Sequence, residues 1–256
     1  MRLKKSTMKF KLTKVTFCFV MITMFVLNLV NGQSNLIEYD IVIIGGRVID
    51  PETNLDAIKN VGIIQNRIAQ ISSEPLKGKQ TINATDLVVS PGFIDLHIHG
   101  RTNKEQEYQL HDGLTTALEL EWGIENLKEW YQSRESKALI NYGASVNWPY
   151  ERFKTIKKYQ DSVDKLYQLS INGESTLEEL VNTIQYAKDE NLSQSQIENT
   201  LTNIKASLAE GGIGIGVPIG YLPETNPKEM YEVFQLAGEL KALVFTHVRR
   251  PNIISI

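Results

Sequence analysis

The chain has 256 residues, 42% hydrophobic and 22% charged, a balance that suits a globular protein of one large domain or a small domain joined to a larger one. The formal net charge is −3, but residues 1–32 hold six of the 27 cations (Arg2, Lys4, Lys5, Lys9, Lys11, Lys14) and none of the 30 acids, so the remainder carries 21 cations and a net charge of −9. An acidic body argues against a nucleic-acid binder, which needs a basic stripe to meet phosphates.

The lysine-rich start, the apolar run Val15–Val30 and the small Gly32 ahead of Gln33 read as a secretory signal peptide over residues 1–32. Its removal leaves no stable membrane insertion and a secreted or periplasmic protein; an uncleaved anchor is the competing reading. Cys18, the only cysteine, lies within the apolar run. The mature chain then has no thiol, and any metal must be held by histidine and carboxylate.

Residues 36–90 read as an all-β segment. Tyr39–Gly46 is expected to be a strand entering a glycine turn, followed by Arg47–Asp50. Val61–Ile64 and Arg67–Ile71 form a hairpin around Gln65-Asn66, and Leu87–Val89 is a further strand. Ile44-Gly45-Gly46 lacks the third glycine of a dinucleotide fingerprint and leads into a strand, which argues against that reading.

Residues 91–256 alternate strands with helices. The expected strands are Phe93–His99, Leu114–Trp122, Ala138–Trp148, Gly212–Tyr221 and Leu243–Val248. Between them lie a short helix or loop at Thr102–His111 and helices at Ile124–Ser136, Tyr150–Leu169, Thr176–Leu208 and Asn226–Lys241. Ser193 or Ser195 is a candidate cap, and Pro227 opens the last helix. This order predicts a parallel sheet covered by helices. Polar residues late in successive strands favour an eight-fold barrel, whose chemistry gathers at the C-terminal face, over an open sheet with one switch point. The fold expected is therefore an incomplete α/β barrel of about five β/α units.

Side chains at i and i+2 of a strand share a face. His97 and His99 can thus aim two imidazoles at one cation, and imidazole suits zinc and similar divalent metals. On the next strand Glu119 and Glu121 share a face, where burial is costly without a partner. A metal beside His97, His99 and Glu121 answers that cost; a salt bridge to Arg101 or Arg249 is the alternative. His247 on the fifth strand is either a further ligand or a hydrogen-bonded core histidine, and His111 reads as solvated. The face of Gly214, Gly216, Pro218 and Gly220 leaves room for a ligand or for close packing. Asn141, Ser145 and Asn147 are polar candidates that could equally bond backbone.

The residues Tyr39–Pro51, Ser90–His99, Asp112–Ala117 and Phe245–Arg249 resemble the amidohydrolase superfamily. The resemblance covers roughly residues 38–249 and is strongest to the D-aminoacylase (N-acyl-D-amino-acid deacylase) and dihydroorotase-like branch, whose fourth strand Gly214–Tyr221 resembles. It implies a (β/α)8 TIM-like barrel with a small β-sandwich built partly by the N-terminal segment. The implied activity is metal-assisted hydrolysis of a carbon–nitrogen bond in a small-molecule amide, with one or two zinc ions or another divalent metal. Carried over by position, His97, His99 and His247 are metal ligands and Tyr221 helps hold the substrate carboxylate; Arg249, on the face of His247, is a further substrate-binding candidate.

Two departures accompany the resemblance. The fourth strand has no lysine to bridge two metals, and the branch's cysteine position falls near Trp122, so Glu121 is proposed as the bridging carboxylate with Glu119 in reserve. A histidine on strand six and a proton-shuttling aspartate on strand eight fall beyond Ile256. The chain therefore resembles the front of a longer protein and is expected to lack ordinary activity alone. A dihydroorotase- or hydantoinase-like cyclic amidohydrolase and a non-catalytic ligand-binding barrel are the rival functions.

Overall fold

The structure, a computed structural model, describes residues 37–172, 176–185 and 189–248. The expected signal peptide with Cys18, and Arg249, lie outside these residues. Among the described residues no helix is long and apolar enough to cross a membrane. The chain divides between Pro91 and Gly92 into two compact units.

The first unit is a mixed five-stranded sheet of β1 (Glu38–Asp50), β2 (Leu55–Ile64), β3 (Arg67–Ser72), β4 (Lys77–Asn83) and β5 (Val88–Val89). Its order is β3-β2-β1-β4, with β5 also on β1; among the described residues it is a single layer. The hairpin expected at Gln65-Asn66 is present. Both residues take positive φ, 49° and 64°, as a two-residue turn matched to strand twist requires. The expected glycine turn at residues 45–46 is instead a bulge within one continuous strand. Gly45 has φ +73°, its N–H donates to Asn60 Oδ1 at 3.1 Å, and pairing with β2 resumes at Gly46. A bulge absorbs the left-handed residue without reversing the chain. Strand β4 was not expected. Its sequence, KGKQTIN, is polar, and it pairs parallel to β1 with most side chains exposed.

The second unit is built on five parallel strands in sequence order: β6 (Phe93–Asp95), β7 (Leu114–Ile124), β8 (Asn141–Asn147), β9 (Gly214–Val217) and β10 (Leu243–Thr246). The helices are α1 (Asn103–His111), α2 (Leu127–Arg134), α3 (Trp148–Phe153), α4 (Gln160–Ile171), α5 (Leu177–Ile184), α6 (Gln194–Ala209) and α7 (Pro227–Leu240). The sheet is curled. Glu121 on β7 touches His247 just past β10, although β8 and β9 stand between, a spacing of roughly 14 Å if neighbouring strands lay flat at about 4.8 Å. An incomplete TIM-like barrel is the architecture.

Four strands end earlier than expected. Asp95 Oδ1 accepts from the His97 N–H at 2.9 Å, an Asx turn that replaces the ladder, so His97 and His99 follow the strand rather than lie in it. Tyr221 sits on the 3-10 turn Ile219–Tyr221 beyond β9. Strand β7 runs longer than expected and is arched: Glu119 pairs with Ala144, yet the next pair is Ile124 with Val146. Helix α2 accordingly begins only at Leu127, after the positive-φ residues Gly123 and Asn126.

One apolar core packs β8 and β9 against α2, α6 and α7 through Leu127, Val146, Trp148, Ile204, Ile215 and Val233. A second gathers Tyr150, Phe153, Leu166, Leu180, Ile184 and Ile197 from the insertion between β8 and β9 around Trp122 of β7. The expected helix from Tyr150 to Leu169 breaks at residues 154–156, and the one from Thr176 divides into α5 and α6. Capping boxes at Thr176 with Glu179 and at Ser193 with Gln196 start the two helices, each satisfying N-terminal N–H groups.

Candidate metal centre

The arch in β7 carries Glu121 to the C-terminal mouth of the strands, the functional end of such barrels. Its carboxylate, only 7% exposed, meets three histidines. His97 Nε2 lies 2.8 Å from Oε2 and His99 Nε2 3.4 Å from the same oxygen. His247 Nδ1 meets the other oxygen, Oε1. The rings of His97 and His99 stand edge to face with centroids 5.3 Å apart. One ligand atom from each of His97, His99 and Glu121 falls within a 4.8 Å cluster, a group able to hold a metal ion. The donor set fits zinc, which is bound by histidine nitrogen and carboxylate oxygen.

Glu119 stands behind this group. Both its oxygens lie near His99 Nδ1, at 3.1 and 3.2 Å. A carboxylate accepting the Nδ1 proton fixes the tautomer and leaves the Nε2 lone pair to face Glu121 and any ion beside it. The hydrogen bond to Glu119 pushes the His99 pKa up. Burial pushes the Glu119 carboxyl up, opposed by its bond with His99 and the charge of Arg101. Glu119, held in reserve as a bridging ligand, is thus placed to orient His99.

Of the two arginines offered as salt-bridge partners, Arg249 lies outside the described residues and Arg101 goes elsewhere. Buried Arg101 pairs with buried Glu125, past the arch. This pair was not expected, because the strand was taken to end at Trp122 and Glu125 to lie in a helix beginning at Ile124, whereas the strand runs on to Ile124. The small-residue face of β9 is closed by packing: a Cβ on Gly216 would stand 2.6 Å from the Glu121 carbonyl oxygen and 2.7 Å from Ser145 Oγ.

The other polar candidates bond locally. Asn141 Nδ2 donates to the Thr115 carbonyl at 3.1 Å, Ser145 Oγ to the Leu120 carbonyl at 2.6 Å, and Asn147 Oδ1 accepts from the Tyr150 N–H to cap α3. His111 is exposed at the end of α1. Tyr221 lies beside the centre, its ring 4.7 Å from that of His247 and 5.1 Å from that of Trp122.

No family model matches the chain. A stretch of 82 residues is 40% identical to dihydroorotase of Streptococcus pneumoniae, covering 30% of this chain and 19% of that protein. Among solved structures, N-acyl-D-glutamate deacylase from Bordetella bronchiseptica, complexed with zinc and a phosphonate mimic of the tetrahedral intermediate, superposes with a TM-score of 0.62 at 16% identity, over 83% of this chain and 46% of that one. D-aminoacylase, described as defining a novel subset of amidohydrolases, superposes with a TM-score of 0.55 at 19% identity, over 82% of this chain and 45% of that one. The chain thus spans about half the length of the solved relatives and a fifth of the dihydroorotase. It has the fold of the D-aminoacylase and N-acyl-D-glutamate deacylase structures and a partial sequence likeness to dihydroorotase.

Proposed function

We propose that this chain carries the metal-binding part of a hydrolase that cleaves carbon–nitrogen bonds in small-molecule amides, most like the N-acyl-D-amino-acid deacylases. The observation that carries the reading is the meeting of His97, His99 and His247, from two separate strand ends, on the single carboxylate of Glu121. The zinc and the tetrahedral-intermediate mimic in the deacylase neighbour support zinc and amide hydrolysis. The match to dihydroorotase supports a second reading, opening of a cyclic amide.

His97, His99 and Glu121 would hold the ion. With one oxygen toward His97 and His99 and the other toward His247, Glu121 is placed to serve one ion or to bridge two. When bound, zinc supplies Lewis acidity toward the amide carbonyl and lowers the pKa of water. Glu119 keeps the His99 proton on Nδ1 and the ring in register. Tyr221, half exposed beside His247, is placed to hold a polar group of the substrate, and Arg249 stays a proposed second contact. The chain spans about half the length of the deacylase structures, and by itself it is expected to bind metal without ordinary turnover. The basic and apolar residues 1–32 support an exported protein.

Zinc titration of the purified chain, followed by assays with N-acyl-D-amino acids and dihydroorotate, tests the proposal. Stoichiometric uptake that is lost in a His97→Ala, His99→Ala double variant is the expected result. Absence of uptake overturns the hydrolase reading, and turnover at an ordinary enzymatic rate overturns the expectation that the chain alone is inactive.

A further inference from the structure

Next to the metal centre lies a cavity of about 250 Å³ lined by Trp122, Val181, Ile184, Gln185, Tyr221 and Leu222. We propose that it receives an apolar side group of the amide substrate, of benzyl or branched-alkyl size, and sets the selectivity of the site. The inference rests on the hydrolase reading only in naming the occupant a substrate.

Position is the first argument. Trp122 follows Glu121 directly in the chain, and the Tyr221 ring packs on both Trp122 and His247. Tyr221 is therefore a wall shared by the cavity and the metal centre, so a group in the cavity belongs to a molecule within reach of both. A larger cavity bounded by Leu110, Thr115 and Ala138–Tyr142 lies at the opposite, N-terminal ends of β7 and β8 and has no such relation.

Size and chemistry are the second. A dry apolar cavity of about 150 Å³ accommodates benzene, so this one suits a ring or branched chain with a linking carbon. No lining side chain is charged. Trp122, Ile184 and Leu222 are buried and apolar, while Gln185 and Tyr221 are exposed and supply the polar rim. A carboxylate pushed into this space would lose its water with no cation to replace it. The geometry selects for an apolar group and against an acidic one.

The third argument is construction. Val181 and Ile184 belong to α5, whose start is fixed by the Thr176–Glu179 capping box and whose Leu180 and Ile184 are anchored in the second core. The wall is thus held in shape by packed side chains rather than by loop backbone alone.

Four probes test the proposal by calorimetry and by tryptophan fluorescence on the zinc-saturated chain: N-acetyl-D-phenylalanine, N-phenylacetylglycine, N-acetyl-D-glutamate and N-acetylglycine. At least one of the two phenyl probes is expected to bind about 10-fold or more tighter than N-acetylglycine, and the glutamate derivative no tighter. Gain with the first assigns the cavity to the amine side of the amide; gain with the second assigns it to the acyl side. Val181→Trp, or the milder Val181→Phe, fills the cavity and should remove the gain while zinc uptake stays unchanged. Binding of phenylacetamide to the metal-free chain, abolished by the same variants, checks the cavity independently of hydrolysis. Equal affinity for all four probes, or a gain that survives in folded Val181→Trp and Val181→Phe, overturns the proposal. Failure of zinc uptake alone sinks the hydrolase reading and leaves the phenylacetamide result standing.

Discussion

Glu121 divides its two oxygens between histidines that are far apart in the chain: His97 Nε2 stands 2.8 Å from Oε2, and His247 Nδ1 closes on Oε1. Glu121→Gln preserves the shape and removes the charge that both imidazoles and any ion use. Zinc affinity is expected to fall by more than the roughly 10–100-fold that loss of an outer hydrogen-bond partner costs. Competitive titration against a chromophoric chelator measures this, and wild-type affinity in the variant would place the ion elsewhere.

Zinc uptake should strengthen as pH rises, because an imidazole must lose its proton before it can ligate. The Glu119 hydrogen bond raises the His99 pKa, which extends the window upward from the ordinary histidine value of about 6.5. In the metal-free chain the same shift stabilises the fold on the acid side, a contribution lost as pH rises through the folded-state pKa of His99. Glu119→Gln keeps an acceptor oxygen without the charge. It should move the uptake profile to lower pH and weaken high-pH affinity by roughly 10–100-fold. Equilibrium dialysis across the window decides; identical profiles for the two proteins would remove Glu119 from the centre.

Between α3 and the first turn of α7, Arg152 Nε donates to both oxygens of Glu229, at 3.1 and 3.3 Å, and Trp148 Nε1 donates to one of them at 3.1 Å. Burial pushes the Glu229 carboxyl up, and Arg152 pulls it back. Glu229→Gln takes the carboxylate away from a buried guanidinium and is expected to cost about 3–5 kcal/mol in urea unfolding. The double variant Glu229→Met with Arg152→Leu should recover most of that loss. A single variant as stable as wild type would show the pair to be inert.

Two glycines should respond in opposite directions. A Cβ at Gly216 meets the backbone oxygens of Glu121 and Leu120 at 2.6 and 2.8 Å, so Gly216→Ala forces the arch away and should destabilise by about 1–3 kcal/mol, weakening zinc uptake with it. Gly238, in α7, has nothing within 4 Å of such an atom, and Gly238→Ala should stabilise by about 0.5–1 kcal/mol. Thermal melts of both variants beside wild type provide the comparison.

The strand–helix order and the pairing of His97 and His99 with Glu121 were legible because each depends on local periodicity and residue chemistry. The strand ends were not. An Asx turn at Asp95 and a bulge across residues 119–124 are set by side-chain hydrogen bonding and by the approach of β9, neither of which leaves a periodic trace. The extension of β7 to Ile124 also hid the destination of Arg101: with the strand ended at Trp122, Glu125 fell in the expected helix, yet it is the partner of Arg101. Polar β4 escaped notice because parallel pairing on β1, not apolar patterning, makes it a strand. The cavity was hidden for a different reason. Val181 and Ile184 fall in the expected helix Thr176–Leu208, far along the chain from Trp122 and Tyr221, and only the tertiary fold brings the four together.

The contact of His247 with Glu121 spans 126 positions of sequence, and this has a kinetic consequence. Closing so long a loop costs entropy before any reward arrives, so such contacts form late and slowly. Four strands and the intervening helices must be in place before the last imidazole arrives. An ion that prefers the completed ring would then act as a clasp on its final joint, slowing its reopening.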